Sequence, residues 1–440
     1  MVAHERLFGQ NIPMPAREMS AQEAVGLIRA VDSIGLGLVT GTPRTLLEEL
    51  SRRSDWRELT FSGGLLMGTH DVFTHPNVHY RASFFGAGER HYQARGGDVQ
   101  FVPSFFRHYG LLIQHLNPRV MMMQASMPDC NGEVSLSLYN GAHLEECRRA
   151  GTDPDRLLIV ECSPHFPRTR ALEGYDHTLR TDEIDVLVIT EAPPTELLVE
   201  TGAPEDFAIA GYAASYIPDG ATLQTGIGAV PNLVARALAE GDGGDYGVHS
   251  EMFTDGLFEL AKVGKVTNSR KVHHRGVSVT TFALGSSPMY EYLHENPEVG
   301  FAPVSYTNDP SVIARNPRMV SINSALEIDL QGQIVADTLG ARQYSGVGGA
   351  YGLRGGDEPL ARTHVTDLSP VDGTGQRGAQ EPYHWSHGSP RRRHDAPSSD
   401  RSRRDRVRQR RLAGAQCSRA RPRVDRHCAP RLSRRTLRLR

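Results

Sequence analysis

One unit of local structure occurs twice in this chain, and that repetition limits the possible folds more than any other feature. The first copy opens on Ser20-Ala-Gln-Glu23, where Ser20 caps a helix and Glu23 reaches back to the cap. Ala24, Leu27, Ile28 and Val31 follow at helical spacing. A strand-like run from Ile34 to Val39 comes next, then the turn Thr40-Gly-Thr-Pro43 and a helix beginning at Pro43. The second copy has a helix over Ala208–Tyr216, a strand Ala221–Thr225, a turn Gly226–Val230 and a helix beginning at Pro231. Pro43, Leu46 and Leu50 superpose on Pro231, Val234 and Leu238 at an offset of 188. Two units in the same order predict two related α/β halves.

Between the copies, short apolar runs alternate with helical stretches. Val120–Gln124, Arg156–Glu161 and Ile184–Ile189 are bounded by polar or turn residues, and a helix over Asn140–Ala150 separates the first two. This alternation predicts parallel sheet covered by helices. The methionines Met121–Met123 read as buried strand rather than a soft metal site. Glu191–Leu198 reads as the connector between halves.

The formal net charge of −2 gives no global attraction to nucleic acid or membrane. The five cysteines (Cys130, Cys147, Cys162, Cys417 and Cys428) show no C-x-x-C spacing, which points to reduced thiols and no zinc site. The N-terminus carries no charged-then-apolar signal pattern. No apolar run approaches the about 20 residues of a membrane helix. A soluble cytoplasmic protein is the expectation.

The chemistry concentrates in Gly247-Val-His-Ser-Glu-Met-Phe-Thr-Asp-Gly256, a short turn between stretches that read as regular structure. Upstream lies the glycine turn Leu223-Gln-Thr-Gly-Ile-Gly-Ala-Val-Pro231. Downstream come the apolar strand Val277–Leu284 and a second glycine cluster, Tyr344-Ser-Gly-Val-Gly-Gly349. A reactive glutamate needs backbone N–H donors near its substrate carbonyl, and glycines let a backbone come close enough to supply them. Glu251 is therefore the candidate nucleophile, against the plainer reading of a turn or cap residue four positions before Asp255. An ionised carboxylate needs no base, so the nearby His249 reads as orienting, and His273-His274 as surface.

After about Gly356 the character changes. Pro390–Arg440 holds 19 arginines against four acids, and apolar runs vanish. As translated, this is a basic arm that binds nucleic acid only nonspecifically, since it lacks interleaved aromatics. A reading-frame slip accounts for it better. One legal codon choice for Arg423–Thr436, read one base later, spells Ala-Leu-Ile-Ala-Ile-Ala-His-Pro-Asp-Phe-Arg-Asp-Glu. Asp405–Arg408 likewise yields Thr-Glu-Tyr-Gly. From Asp357 onward the chain is expected to be disordered.

Seven segments in order resemble the acetyl-CoA hydrolase/transferase family, which includes 4-hydroxybutyrate and acetate CoA-transferases. They are the 223–231 turn, the 247–256 stretch, Thr267–Lys271, Phe282–Gly285, Asn308–Pro310, Val320–Leu326 and Tyr344–Gly349. Gly132–Leu136 and Pro167–Thr169 match more loosely, and the shifted words restore the blocks that usually end the family. The resemblance implies two similar α/β domains with mainly parallel sheets: residues 1–190, residues 191–356 carrying the Glu251 loop but incomplete, and an atypical tail over 357–440. It places the nucleophile at Glu251, an acyl-oxygen donor at Gln224, and CoA contacts at Gly226, Gly228, Asn323, Gly346, Gly348 and Gly349. It implies CoA transfer between a short acyl-CoA and a carboxylic acid such as acetate or 4-hydroxybutyrate, in a homo-oligomer, often a dimer. No metal or further cofactor is implied. Two alternatives stay open: acyl-CoA hydrolysis, and a truncated, impaired remnant. Some relatives carry a histidine after the glycine matching Gly37; here Leu38 stands there. The chain also departs at Ala350-Tyr-Gly-Leu-Arg354.

Overall fold

The computed structural model describes residues 16–197, 202–316 and 318–349, with the backbone of Thr363–Leu368. The first half is built on eight parallel strands. Their order is Arg17–Glu18, Val186–Ile189, Leu157–Ser163, Val120–Ser126, Val31–Leu36, Glu58–Gly63, Val78–Ala82 and Asp98–Phe101. All seven residues of Val120–Ser126 and all seven of Leu157–Ser163 are buried, as a strand covered on both faces must be. Met121–Met123 thus belong to the core.

The second half repeats the plan on a smaller sheet ordered Gly247–Val248, Thr222–Thr225, Met319–Ala325 and Thr363–Leu368, again parallel. In both halves a strand, a turn and a helix lead to the neighbouring parallel strand. The sequence runs Val31–Leu36, Arg44–Leu50, Glu58–Gly63 in one, and Thr222–Thr225, Ala229–Glu240, Gly247–Val248 in the other. A third parallel sheet takes strands from both halves, since Arg170–Ala171 from the first half pairs with Val299–Phe301, which pairs with Ser278–Thr280.

Several boundaries differ from the sequence reading. Ser20 and Glu23 form the full capping box, but the helix ends at Gly26 and the strand already begins at Val31. Pro43 is the N-cap of Arg44–Leu50, and the later helix starts at Ala229 rather than Pro231. The helix expected over Asn140–Ala150 runs Leu144–Thr152, because Asn140 and Gly141 donate their N–H groups to the Thr281 carbonyl instead. Val277–Leu284 is not one strand but two, Ser278–Thr280 and Phe282–Ala283, in different sheets. Within the stretch expected to be disordered, Thr363–Leu368 forms a strand registered with Val320–Ala325. It is rich in β-branched residues rather than in the apolar runs that were sought. The rest of the tail lies outside the described residues.

Buried carboxylates fix helix ends in the first half. Glu161 accepts from the Thr45 and Leu46 N–H groups (3.2 and 3.1 Å), satisfying two orphan donors at the start of Arg44–Leu50. Glu89 does the same for the Gly86 and Leu66 N–H groups (2.9 and 3.1 Å). Burial raises both carboxyls above their ordinary range, against these bonds. Replacing Glu161 by Ala strands two buried N–H groups and should lower unfolding free energy by about 2–3 kcal/mol in a denaturant titration. A change within experimental error would mean that this cap contributes nothing.

Candidate active site

Glu251 sits in the bend between Gly247–Val248 and Met252–Phe253. Its backbone is held from the broken strand. The Thr281 and Phe282 N–H groups and the Thr280 hydroxyl all donate to its carbonyl, at 3.1, 3.3 and 3.2 Å. The flanking residues are held as firmly. Ser250 donates its N–H to Val279 (2.9 Å) and its hydroxyl to Met252 (2.6 Å), and the His249 N–H bonds Leu223 at 3.1 Å. Break and bend form one device: at Thr281 the strand gives up its own ladder to anchor the glutamate.

The Thr267–Lys271 segment supports the strand that leads to it. Asn268 takes the Val248 N–H at 2.8 Å and donates to the Ser278 hydroxyl at 3.0 Å. Lys271 is buried, and its ammonium donates to the Val248 and Val277 carbonyls at 2.8 and 2.7 Å. Burial pushes that ammonium down to about 7.

The carboxyl group itself meets two partners. The Asn308 side-chain amide donates to Oε2, and Gly349 packs directly against the same oxygen. A Cβ at Gly349 would run into Glu251 Oε2 and Asn308 Nδ2, so only glycine fits. Burial pushes the Glu251 carboxyl up to about 7, with the Asn308 hydrogen bond opposing it. This corrects the expectation of a fully ionised group at neutral pH: desolvation holds a proton on part of the population. His249 is buried and pushed down to about 3, and its Nε2 donates to the Thr307 carbonyl at 2.8 Å. It is a neutral tether for the Val304–Thr307 helix that delivers Asn308.

The glycine cluster closes over this carboxyl from the second half onto the first. Gly346 lies against Phe84, where a Cβ would meet the ring at 2.7 Å, and the Gly348 carbonyl accepts the Phe106 N–H at 3.0 Å. Arg90 stacks on the Tyr344 ring at 4.4 Å. An open pocket results, lined by Glu251, Gly348 and Phe282 from the second half and by Leu38, Val39, Leu65 and Phe84 from the first. Val39 and Leu65 both carry positive φ (52° and 48°) and are joined by the Val39 N–H to the Leu65 carbonyl at 3.2 Å. Such a backbone is strained for a β-branched residue and persists only where its surroundings impose it.

Of the residues singled out from the sequence, Glu251, Gly346, Gly348 and Gly349 come together here. Gln224 and Asn323 form a separate chain, in which Ser321 donates to Gln224 and accepts from Asn323 at 2.7 Å. Neither lines the cavity. Gly226 and Gly228 form the turn that caps Ala229–Glu240, beside Ile322 and Ser324. His274 is not at the surface alone, since it bonds the Tyr306 hydroxyl at 2.6 Å. The sequence reading gave Asn308 no role. Its signal was the helix-start motif Asn308-Asp-Pro310, in which Asp309 caps Pro310–Ile313. The apolar wall had no signal, because Phe84 and Phe106 are ordinary apolar residues until the fold brings them opposite Glu251.

Known proteins resemble the chain across both halves. It is 32% identical to the succinyl-CoA:cyclohexane-1-carboxylate CoA transferase of Geobacter metallireducens, over 79% of this chain and 76% of that one. It is 33% identical to the butyryl-CoA:acetate CoA-transferase of Anaerostipes caccae, over 75% and 74%. The chain belongs to the acetyl-CoA hydrolase/transferase family. A profile of that family's C-terminal domain matches residues 285–356, the segment holding Asn308 and the glycine cluster. Among solved structures, RipA from Yersinia pestis superposes with a TM-score of 0.67 at 33% identity, covering 74% of this chain and 75% of that one. The 4-hydroxybutyrate CoA-transferase of Porphyromonas gingivalis gives 0.59 at 27% identity, covering 72% and 75%.

Between pH 4.5 and about 7 the folded protein keeps a proton on Glu251 that the unfolded chain has released. This group's contribution to stability therefore falls as pH rises through that window and levels off above it. Glu251→Gln should lose less stability than the parent from pH 4.5 to 8, by up to roughly 3 kcal/mol in chemical denaturation. Parallel curves for the two proteins would refute a buried, raised carboxyl.

Proposed function

We propose that this chain transfers CoA between an acyl-CoA and a carboxylic acid, with Glu251 as the nucleophile. The observation that carries this reading is a partly buried carboxyl, held by Asn308 and Gly349 at the wall of a cavity between the two halves. Similarity to several CoA-transferases supports it.

The proposed steps balance without a base or a metal. The Glu251 carboxylate attacks the thioester carbonyl, the C–S bond breaks, and CoA leaves as thiolate, giving an acyl-glutamyl anhydride. The thiolate then attacks the Glu251 carbonyl of that anhydride and releases the original acid as carboxylate, which leaves a glutamyl-CoA thioester. An incoming carboxylate attacks this thioester and expels thiolate. The thiolate takes the new acyl group from the second anhydride and frees Glu251. The bonds exchanged are of similar energy, so the protein's work is positioning and stabilisation of the oxyanion.

Burial serves the first step in two ways. It strips water from the carboxylate, and it lifts basicity toward 7, so the ionised fraction attacks more readily than an exposed glutamate would. The Gly346–Gly349 backbone is assigned the donor role at the oxyanion. Gln224, fixed by Ser321, is assigned the acyl-oxygen contact that the resemblance implies, from a position outside the cavity lining. Hydrolysis is the same chemistry with water in place of the acceptor acid.

Thioester exchange between labelled acetate and an acyl-CoA tests the reading. Glu251→Ala should lose at least about 1,000-fold in kcat with the fold retained, whereas unchanged exchange would end the proposal. The parent's rate should rise with pH to a plateau above about 7, as the carboxyl ionises. Gly349→Ala should lower kcat/KM about 100-fold through displacement of Glu251. An alanine there that leaves kcat/KM intact would show that the close contact is not needed.

A further inference from the structure

The cavity at Glu251 carries information about the acyl group. Resting on the reading of Glu251 as nucleophile, we propose that the acyl chain transferred is neutral and mainly apolar, and that dicarboxylic acyl groups are rejected.

An acyl group bonded to the Glu251 carboxyl must lie in the space that this carboxyl faces. That space is walled by Leu38, Val39, Leu65, Phe84, Phe106 and Phe282, and among the described residues no Lys, Arg or His lines it. Leu38, Val39 and Phe282 are buried, Leu65, Phe84 and Phe106 are part-buried, and Phe282 meets Phe106 edge-on at 6.0 Å.

The polar atoms present do not alter the balance. The Ser83 hydroxyl is committed to the Gly63 carbonyl at 3.1 Å, and the Ser104 hydroxyl to the Phe105 carbonyl at 3.2 Å. The Tyr109 hydroxyl is buried without a hydrogen-bond partner among the described residues, and burial raises it so that it stays protonated. One neutral donor can serve a hydroxyl or carbonyl on the chain. It cannot neutralise a second carboxylate, which would be desolvated beside Glu251 with no countercharge.

The strained pair Val39 and Leu65 shapes this wall. Their positive φ turns both residues at the cavity, at the end of the strands that carry them.

A donor panel on the full chain decides the matter, with acetyl-, butyryl-, hexanoyl- and succinyl-CoA compared by exchange into labelled acetate. Each methylene from acetyl to butyryl should raise kcat/KM about fourfold, and succinyl-CoA should be slower than butyryl-CoA by at least about 100-fold. Leu65, which is only part-buried, supplies a second measurement: Leu65→Lys should narrow the butyryl-to-succinyl ratio at least about 10-fold. If that variant misfolds, the parent's panel still decides. Exchange with all donors at similar rates, succinyl included, overturns the acyl-chain proposal and leaves the transferase reading intact. Absence of exchange with every donor overturns the transferase reading, and this proposal with it.

Discussion

The structure depends on how one peptide carbonyl is satisfied. The backbone oxygen of Glu251 takes three donors from Thr280–Phe282, and the strand there is interrupted to supply them. Without that interruption Val277–Leu284 would run on as sheet and the glutamate would sit in an unsupported loop. With it, the two short strands enter different sheets, and the break between them at Thr281 anchors the Glu251 bend at the junction of the halves. Asn268, Lys271 and His249 add further ties around the same point, all through buried polar groups bonded to the main chain. Buried groups of this kind are costly when broken, which gives the site rigidity where positioning is the main catalytic demand.

A second constraint comes from desolvation. Closing Gly346–Gly349 over Phe84 and Phe106 leaves Glu251 with one amide donor and no cation among its described bonding partners. A charged carboxylate is disfavoured there, because burial raises the Glu251 carboxyl with only Asn308 opposing it. In the proposed reaction the same disfavour makes the ionised form the better nucleophile. The strained Val39–Leu65 pair at the cavity is likewise balanced by burial elsewhere, as in the fully covered strands Val120–Ser126 and Leu157–Ser163.

Much of this was legible in the sequence because it is carried by local pattern. The capping box at Ser20, the three apolar runs of the first sheet and the recurrence at an offset of 188 each specify an element from neighbouring residues alone. Elements set by long-range partners were misread. The helix at Asn140 starts four residues late because Thr281, far along the chain, takes its N–H groups. The 277–284 strand breaks because Glu251 requires it. At the site, Glu251 and the glycines of 346–349 stood out by motif. Asn308 lacked an assigned role, and the apolar wall was invisible, since nothing in Phe84 or Phe106 announces what will lie opposite. Gln224 shows the converse: a motif residue whose placement, on a chain through Ser321 to Asn323, lies outside the cavity that Glu251 faces.

The central claim is that Glu251 becomes covalently bonded to CoA. Intact-mass measurement after incubation with acetyl-CoA tests it most directly, with Glu251→Ala treated alongside. The account predicts a mass increase of one CoA less one water on the parent and none on the variant, with the adduct mapping to the peptide containing Glu251. An adduct of equal size on both proteins, or none on a parent shown to be folded and active in exchange, would contradict it.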